Sequence, residues 1–361
     1  MHFLFGETTT DVIISREIPG IENFSDNFSN SIIIADENTV SIAKKISGRH
    51  ELPLIVLESG EEFKKWGSVE KILSCAHKEK LGRDSFFIAV GGGVIGDLTG
   101  FAASIYKRGC RFILISTTLL GMVDASVGGK TGFDLFEIKN LVGSFFPAEK
   151  VYIPLDTLST LPQNEWKSGM AELIKTAILC PSDNDEFLNL ISSNIDQLSE
   201  FKNVDKDLLL NLVERAVSFK GSIVSEDPKE TGTMRILLNL GHTFAHALES
   251  ACGLGNISHG EAVAWGIVRA CELGCILEIT PEERAQKIIN IIKAFNYITE
   301  CPHPLCNDMQ ILLNAIKNDK KNKAGNIRFI VPASKGAVPV TVETENGINM
   351  LMNILQGKIT I

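Results

Sequence analysis

Short apolar runs rich in branched residues alternate with helical repeats along the first part of the chain. Ser31-Ile32-Ile33-Ile34-Ala35, Leu54-Ile55-Val56-Leu57, Phe86 to Val90, Arg111-Phe112-Ile113-Leu114-Ile115 and Val151-Tyr152-Ile153 read as strands. Between them, around 39–47, 62–80 and 95–106, apolar positions recur at three- and four-residue intervals and predict helices. Strands separated by crossover helices imply a parallel α/β sheet. Past Leu161-Pro162 the pattern changes to long helical periodicity, over 164–180, 183–202, 205–225, 234–251, 259–276, 281–295 and 308–318. One late run, Ile327-Arg328-Phe329-Ile330-Val331, is β-like and predicts either a small ribbon or a return to the main body. The expected organisation is an α/β domain over 1–162 followed by an all-helical domain over 163–361.

The strand ending at Val90 empties into Gly91-Gly92-Gly93-Val94-Ile95-Gly96-Asp97-Leu98-Thr99-Gly100. Glycines let a backbone approach phosphates closely, and the helix that follows presents unpaired N–H groups and the positive end of its dipole. The run therefore points to a nucleotide pyrophosphate, although its spacing is not that of the Rossmann fingerprint; a tight structural turn is the plainer alternative. Asp36 and Asn38 lie just past the carboxyl end of a strand, where parallel sheets bind ligands. An acid at that point either holds a ribose hydroxyl or caps its own loop.

With 361 residues the chain is long enough for two cores, since single cores seldom exceed roughly 250–300 residues. A formal net charge of −9 argues against a nucleic-acid or acidic-membrane surface, so any anionic substrate must be held by local basic residues. The eight cysteines sit mostly inside apolar runs without paired C-x-x-C spacing, as expected of reduced thiols. Cys301 and Cys306 flank His303, but their spacing matches no standard zinc motif. No basic segment followed by an apolar core opens the chain, and no stretch approaches the roughly 20 apolar residues of a membrane span. A cytoplasmic location is expected.

Gly241-His242-Thr243-Phe244-Ala245-His246 sets two histidines at i and i+4 on one helical face, and Ser258-His259-Gly260-Glu261 opens another helix. Three histidines with nearby carboxylates suit a zinc-like ion with an open position. Glu172 lies in an otherwise apolar helical stretch, where an unpaired carboxylate is costly; a metal ion accounts for it, and so does a salt bridge to a nearby lysine. Lys107-Arg108, Lys130, Lys139-Asn140, Lys175, Lys220, Arg235 and Lys320-Lys321 are basic positions in an acidic chain, several beside glycines or inside apolar stretches. Taken singly, each reads as a surface charge. Together they suit a small substrate carrying a phosphate and a carboxylate. A metal beside a nicotinamide is an arrangement for oxidising an alcohol by hydride transfer.

Several blocks resemble the 3-dehydroquinate synthase family. They are Gly91 to Ala103, Ser116-Thr117-Thr118-Leu119-Leu120, Met122-Val123-Asp124-Ala125-Ser126-Val127-Gly128-Gly129-Lys130-Thr131-Gly132, and Lys139-Asn140-Leu141-Val142-Gly143. Gly169-Met170-Ala171-Glu172-Leu173-Ile174-Lys175, Leu238 to Glu249 and His259-Gly260-Glu261-Ala262-Val263 continue the match, in order and across both halves. The resemblance implies a dehydroquinate-synthase-like fold, with a parallel-sheet dinucleotide-binding domain followed by a helical metal-binding domain. It implies zinc or cobalt on Glu172, His242 and His259, with His246 left as a polar group of the site. It implies NAD+ on Asp36, Asn38, Glu61, Lys64, Gly92, Gly93, Asp97, Thr117 and Thr118. The substrate pocket would comprise Asp124, Lys130, Asn140, Lys175, Lys220, Arg235, Asn239, His246 and Lys320, with Arg108 lent to the neighbouring subunit of a homodimer. Lys130, Asn140 and Lys175 would position and neutralise charge, and Asp124 and His246 would handle protons.

The reaction so implied closes 3-deoxy-D-arabino-heptulosonate 7-phosphate into 3-dehydroquinate with loss of phosphate, NAD+ taking a hydride and returning it. Two positions depart from the family pattern. Gly232-Thr233-Met234-Arg235 is one residue longer than the usual Gly-Leu-Arg, and Ile138 stands where a glycine commonly precedes the Lys-Asn pair. Sister cyclases making 2-deoxy-scyllo-inosose or 2-epi-5-epi-valiolone are the nearest rivals; their substrates lack the carboxylate that Arg235 and Asn239 would bind. A glycerol-dehydrogenase-type oxidoreductase is a further rival, disfavoured by the Val127-Gly128-Gly129-Lys130 and Lys139-Asn140 blocks.

Overall fold

The computed structural model describes residues 1–359 apart from 25–27, 29, 49, 137, 183, 254, 307 and 318–325. The chain forms two compact units, Met1–Trp166 with Asp205–Thr231, and Lys167–Val204 with Gly232–Ile361.

The first unit holds strands β1 (His2–Phe5), β2 (Thr8–Ser15), β3 (Ser31–Asp36), β4 (Leu54–Leu57), β5 (Phe86–Gly91), β6 (Arg111–Ser116), β7 (Lys130–Leu135), β8 (Ile138–Phe145) and β9 (Lys150–Pro154), with helices α1 (Val40–Ser47), α2 (Trp66–Lys78) and α3 (Gly93–Ile105). Seven of these strands make one sheet in the order β1-β2-β9-β6-β5-β3-β4, parallel except where β1 pairs with β2. All six residues of β5 and the first five of β3 are buried, which is why both read as unbroken apolar runs: helices cover a parallel sheet on both faces. Ile33, Ala35, Ile88, Val90, Ile113 and Ile115 pack with Ala43 and Ile46 of α1 in its core. The chain passes from β3 to β4 on one side and from β5 to β6 on the other, so strand order reverses between β3 and β5, where open sheets take their ligands. Register pairs Ala35 with Val90 and Gly91 with Ser116, bringing Asp36, Gly91 and Ser116 to that edge.

Two features of this unit lie outside the predicted elements. The N-terminal β1–β2 hairpin extends the sheet, and β7 pairs antiparallel with β8 as a separate hairpin carrying Lys130 and Asn140. Strand β8 alternates exposed and half-buried positions and contains Lys139 and Asn140, so it lacks the apolar run that marks a core strand.

The remaining helices are α4 (Gln163–Leu179), α5 (Glu186–Ser192), α6 (Ile195–Leu198), α7 (Lys206–Glu226), α8 (His242–Cys252), α9 (His259–Ile276), α10 (Glu282–Ala294), α11 (Met309–Lys317) and α12 (Thr344–Leu355). By chain position the expected boundary falls after residue 162; by contact, α7 belongs to the sheet-bearing unit. Asp205 caps its N-terminus by accepting from the Asp207 and Leu208 N–H groups at 2.9 Å, and Lys206 reaches Asp156 at 3.0 Å while Asp207 pairs with Arg16.

In the second unit α9 is buried almost throughout and packs against α8, α10, α12 and strand β10 (Asn326–Pro332). Strand β10 pairs with β11 (Ala337–Glu343), forming the expected ribbon and making the unit helical with one hairpin rather than all-helical. The helices expected over 183–202 and 234–251 are each interrupted. Asn194 ends the first by donating its side-chain amide to the Leu190 carbonyl at 2.8 Å. At Gly241, φ is +76°, and a Cβ there would meet the Ile267 nitrogen at 2.8 Å; α8 therefore starts afresh at His242, close against α9.

Candidate active site

In the first unit, the N-terminus of α3 follows directly on β5. Its N-cap is Gly92 and no side chain caps it, so its first N–H groups are left for a ligand. Beside it the buried hydroxyls of Ser116, Thr117 and Ser126 have no hydrogen-bond partner among the described residues. A narrow cleft there is lined by Gly92, Gly93, Asp97, Ser116, Ser126 and Lys130. Uncapped donors and orphaned hydroxyls along one glycine-rich turn fit a dinucleotide's pyrophosphate. Thr118 is already engaged, accepting from the Gly121 N–H at 3.0 Å.

Asp36 shows the capping arrangement: its Oδ1 accepts from the Asn38 N–H at 3.0 Å, the Thr39 N–H at 2.9 Å and the Thr39 hydroxyl at 2.8 Å. Asn38 is exposed and Glu61 begins a short 3-10 turn, Glu61–Phe63. At the end of that turn Lys64 is buried, its Nζ 2.7 Å from Asp97 Oδ2 and donating to Asn140 Oδ1 at 2.6 Å. Burial pushes the Asp97 carboxyl above its ordinary range, and Lys64 only partly offsets this. Asn140 has a left-handed backbone, φ +51°, stabilised by its N–H donating to Asp134 Oδ1 at 2.7 Å. Lys64, Asp97 and Asn140 thus form one network, although the first two were expected on the cofactor and the third on the substrate.

Lys220 of α7 is buried, with its Nζ 2.8 Å from Asp124 Oδ1 and 2.7 Å from the Asp124 carbonyl. Lys130 pairs with Glu230. Sequence reasoning had not placed Glu230 in the site; only its position on the loop before Arg235 hinted at it. Arg108 is exposed, on a turn where both Lys107 and Arg108 have positive φ, +47° and +65°.

In the second unit, Glu172 of α4, His242 at the start of α8 and His259 at the start of α9 offer ligand atoms within 4.8 Å of one another. Glu172 Oε1 lies 3.2 Å from His259 Nε2 and 3.7 Å from His242 Nε2. Each imidazole is oriented through its other nitrogen: His242 Nδ1 is 3.1 Å from the Leu240 carbonyl, and His259 Nδ1 is 3.4 Å from Glu249 Oε1. That leaves both Nε2 atoms directed at the carboxylate, the arrangement second-sphere partners impose on metal-binding histidines. A carboxylate and two imidazoles with spare coordination suit zinc or cobalt. Burial holds the His242 pKa well below its ordinary value, with Lys175 adding to the effect. For His259, burial opposes the cation, but hydrogen bonds to Glu172 and Glu249 outweigh it and raise the pKa to about 10. Glu249, which sequence reasoning had left without a role, therefore completes the cluster.

Of the two alternatives for Glu172, the lysine salt bridge is present beside the two imidazoles: Lys175 Nζ sits 2.5 Å from Glu172 Oε2, both side chains being almost wholly buried. His246 is exposed one turn along α8, its ring centroid 5.5 Å from that of His242. Arg235 is buried in a 3-10 turn, Arg235–Asn239, whose Asn239 donates to the Ile236 carbonyl at 3.1 Å. Lys320 lies outside the described residues. His303 is buried with its Nδ1 accepting from the Leu305 N–H at 3.1 Å, and Cys301 and Cys306 are free thiols that join it in no metal-binding group among the described residues.

A parallel-sheet unit with an uncapped glycine-rich helix start, and a helical unit with a Glu-His-His cluster, define the sugar-phosphate cyclase class of fold. Two solved structures share it along their length. A 2-deoxy-scyllo-inosose synthase complexed with carbaglucose-6-phosphate, NAD+ and Co2+ aligns with a TM-score of 0.84 at 25% identity, covering 99% of each chain. The 2-epi-5-epi-valiolone synthase of Streptomyces hygroscopicus subsp. jinggangensis 5008, with NAD+ and Zn2+ bound, aligns with a TM-score of 0.85 at 24% identity, covering 98% of this chain and 99% of that one. The family models for the 3-dehydroquinate synthase N-terminal and C-terminal regions match residues 54–168 and 169–322. The curated 3-dehydroquinate synthase of Picosynechococcus sp. (strain ATCC 27264 / PCC 7002 / PR-6) is 40% identical over 286 residues, 79% of this chain and 76% of its own. The chain belongs to the 3-dehydroquinate synthase family of enzymes. Among the described residues, no helix is long and apolar enough to cross a membrane.

Proposed function

We propose that this member of the family converts 3-deoxy-D-arabino-heptulosonate 7-phosphate into 3-dehydroquinate and phosphate, with NAD+ as a recycled cofactor and a divalent ion, zinc or cobalt, on Glu172, His242 and His259. When bound, NAD+ supplies a reversible hydride acceptor and the ion a Lewis acid for the hydroxyl being oxidised. NAD+ is assigned to the first unit, on Gly92, Gly93, Asp97, Thr117 and Thr118 with Lys64, and on Asp36, Asn38 and Glu61 at the adjoining strand ends. There Lys130, Asn140 and Lys220 are assigned to the substrate, with Arg108 reserved for a partner copy in a homodimer. In the second unit Lys175 stabilises charge next to the metal ligands, and Arg235 with Asn239 takes the substrate carboxylate. Asp124 and His246 handle protons; the departing phosphate is itself placed to accept the one lost on elimination.

The observation that carries this reading over a sister cyclase is Arg235, a guanidinium only 3% exposed, on the turn that leads into the His242 ligand. A guanidinium presents a fork of N–H donors that matches a carboxylate, which the sister cyclases' substrates lack. A cytoplasmic setting accords with eight free thiols. A single-chain mass by sedimentation would end the homodimer assignment.

The test is phosphate release by zinc-loaded protein from 3-deoxy-D-arabino-heptulosonate 7-phosphate with substoichiometric NAD+, coupled to dehydroquinase. Turnover beyond the NAD+ supplied, abolished by a chelator, is the expected result. No phosphate release from protein shown to bind NAD+ and metal, with turnover of sedoheptulose 7-phosphate or glucose 6-phosphate, would overturn it in favour of a sister cyclase. Net NADH formation from an alcohol would point to the dehydrogenase reading.

A further inference from the structure

Glu172 and His259 come from two helices that are not adjacent in the chain, so their separation depends on how α4 and α9 are fastened together. The fastening is visible beside them. The Gly260 N–H, one of the donors that a helix start leaves unpaired, donates to the Ser168 hydroxyl at 3.0 Å. The backbones approach so closely that a Cβ on Gly260 would meet the Ser168 Cα at 2.3 Å. On the same side Glu261 reaches two ways: its Oε2 pairs with Lys167 Nζ at 3.0 Å, and its Oε1 accepts from the Ile298 N–H at 2.7 Å. Lys167 Nζ also donates to the Asn296 carbonyl at 2.7 Å and stands 4.6 Å from the centre of the Tyr297 ring. The Tyr297 hydroxyl, on a side chain that is buried, donates to the Lys167 carbonyl at 2.5 Å.

Segment 296–298 is thereby drawn against the start of both helices. Lys167 and Ser168 stand five and four residues before Glu172 on α4, about 6–7.5 Å along the axis at 1.5 Å per residue. Gly260 and Glu261 are one and two residues past His259. We propose that Lys167, Glu261 and Tyr297 are positioning residues that clamp α4 to α9 and set the Glu172–His259 separation, and with it the affinity of the cluster for a divalent ion. The proposal rests on the metal assignment made above. The hydrogen bonds and ion pair of the clamp run among its own side chains and to backbone groups, so it acts on where the ligands stand rather than on what they are. A loosened clamp leaves three ligands present at the wrong spacing; partners bonded directly to ligands are worth roughly 10- to 100-fold in metal affinity, and the lower end of that range sets the scale for a clamp acting through the helices.

The test is Co2+ affinity by chelator competition, with the visible Co2+ spectrum and the circular dichroism of the metal-free protein recorded alongside. The variants are Lys167→Met, Glu261→Gln, their combination, and Tyr297→Phe, which removes one hydroxyl only. The expected result is a loss of about tenfold or more for Lys167→Met and for Glu261→Gln, an altered Co2+ spectrum, and retained helical content. The combination is expected to lose little more than either single change, because both break the same contact. Tyr297→Phe is expected to weaken binding by a smaller factor in the same direction. Unchanged Co2+ affinity in all variants overturns the clamp, as do losses that multiply independently. Should wild-type protein bind no Co2+, or Glu172→Ala bind it as tightly as wild type, the metal assignment itself fails. The two failures are therefore told apart.

Discussion

Glu172 and Lys175 form a pair that tests the site without any ligand. Their atoms approach to 2.5 Å, with the side chains 1% and 2% exposed. Glu172→Gln keeps the shape of the side chain and removes its charge, leaving the Lys175 ammonium without that carboxylate. Breaking a buried pair from one side costs about 3–5 kcal/mol, because the surviving charge has lost its water and its closest counter-charge together. His259 adjusts by giving up its proton more readily, since its pKa of about 10 is held up, against burial, by Glu172 and Glu249. Lys175→Met removes the other partner at a lower cost, because Glu172 keeps His259 at 3.2 Å, whereas the combined Glu172→Gln and Lys175→Met variant contains neither charge and is expected to recover much of the loss. The coupling between the two positions should be at least about 2 kcal/mol. Urea unfolding of metal-stripped protein, followed by circular dichroism for wild type, both single variants and the double, measures it, with an unchanged m-value confirming that stability alone has moved. Single-variant losses below about 1 kcal/mol, or losses that add within about 0.5 kcal/mol, would refute the buried pair.

Arg235→Ala is expected to lower kcat/KM for the phosphorylated heptulosonate at least about tenfold, the scale of one charged hydrogen bond, and initial-rate kinetics that match wild type would remove the carboxylate assignment. Burial raises the Glu272 pKa to about 7 despite its Arg269 partner, so the folded chain holds a proton there that the unfolded chain releases near its ordinary value of 4.5. The stability this adds is complete below the unfolded pKa and lost as pH rises through 7: unfolding free energy should fall by about 2 kcal/mol between pH 5 and pH 8 through this group. Urea titrations across that range should show a shallower decline for Glu272→Gln; parallel curves would refute it.

The parallel sheet was legible because its central strands are buried on both faces and so consist of apolar residues without interruption. The β7–β8 hairpin was not, because it is half-exposed on alternate positions and its pairing rests on local register rather than on core burial. Helix periodicity ran straight through Gly241, where the break comes from the close approach of α9, a tertiary contact that carries no periodic signal. The helical pattern of the chain past residue 162 likewise could not show that α7, helical like its neighbours, packs with the sheet-bearing unit. What holds α7 there is its buried face, including Leu209, Leu212, Val213, Ala216 and Val217, with Gly221 so close to Phe3 of β1 that a Cβ would meet its ring at 2.2 Å; the ion pairs to Arg16 and Asp156 are exposed and add little.

The site was legible as a set of residue types, and what the chain order concealed was their pairing. Lys175 and Lys220 each read singly as a surface charge, and Lys64 stood out only through the family resemblance, yet all three are buried, and each is matched to an acid: Glu172, Asp124 and Asp97. Lys130, more exposed, is matched to Glu230. The matching bears on how a chain of net charge −9 binds a phosphorylated acid. Its lysines are held in place by carboxylates in the absence of substrate, which limits the desolvation cost of keeping them buried. On the substrate assignment proposed for Lys130 and Lys220, an incoming phosphate would meet ammonium groups whose positions are already fixed, so little side-chain entropy would be spent on binding. It meets carboxylates too, and must take over their lysines rather than join an unpaired excess of positive charge. Affinity for the anion is therefore set by the difference between two partners for the same lysine, a quantity that no count of basic residues along the sequence contains.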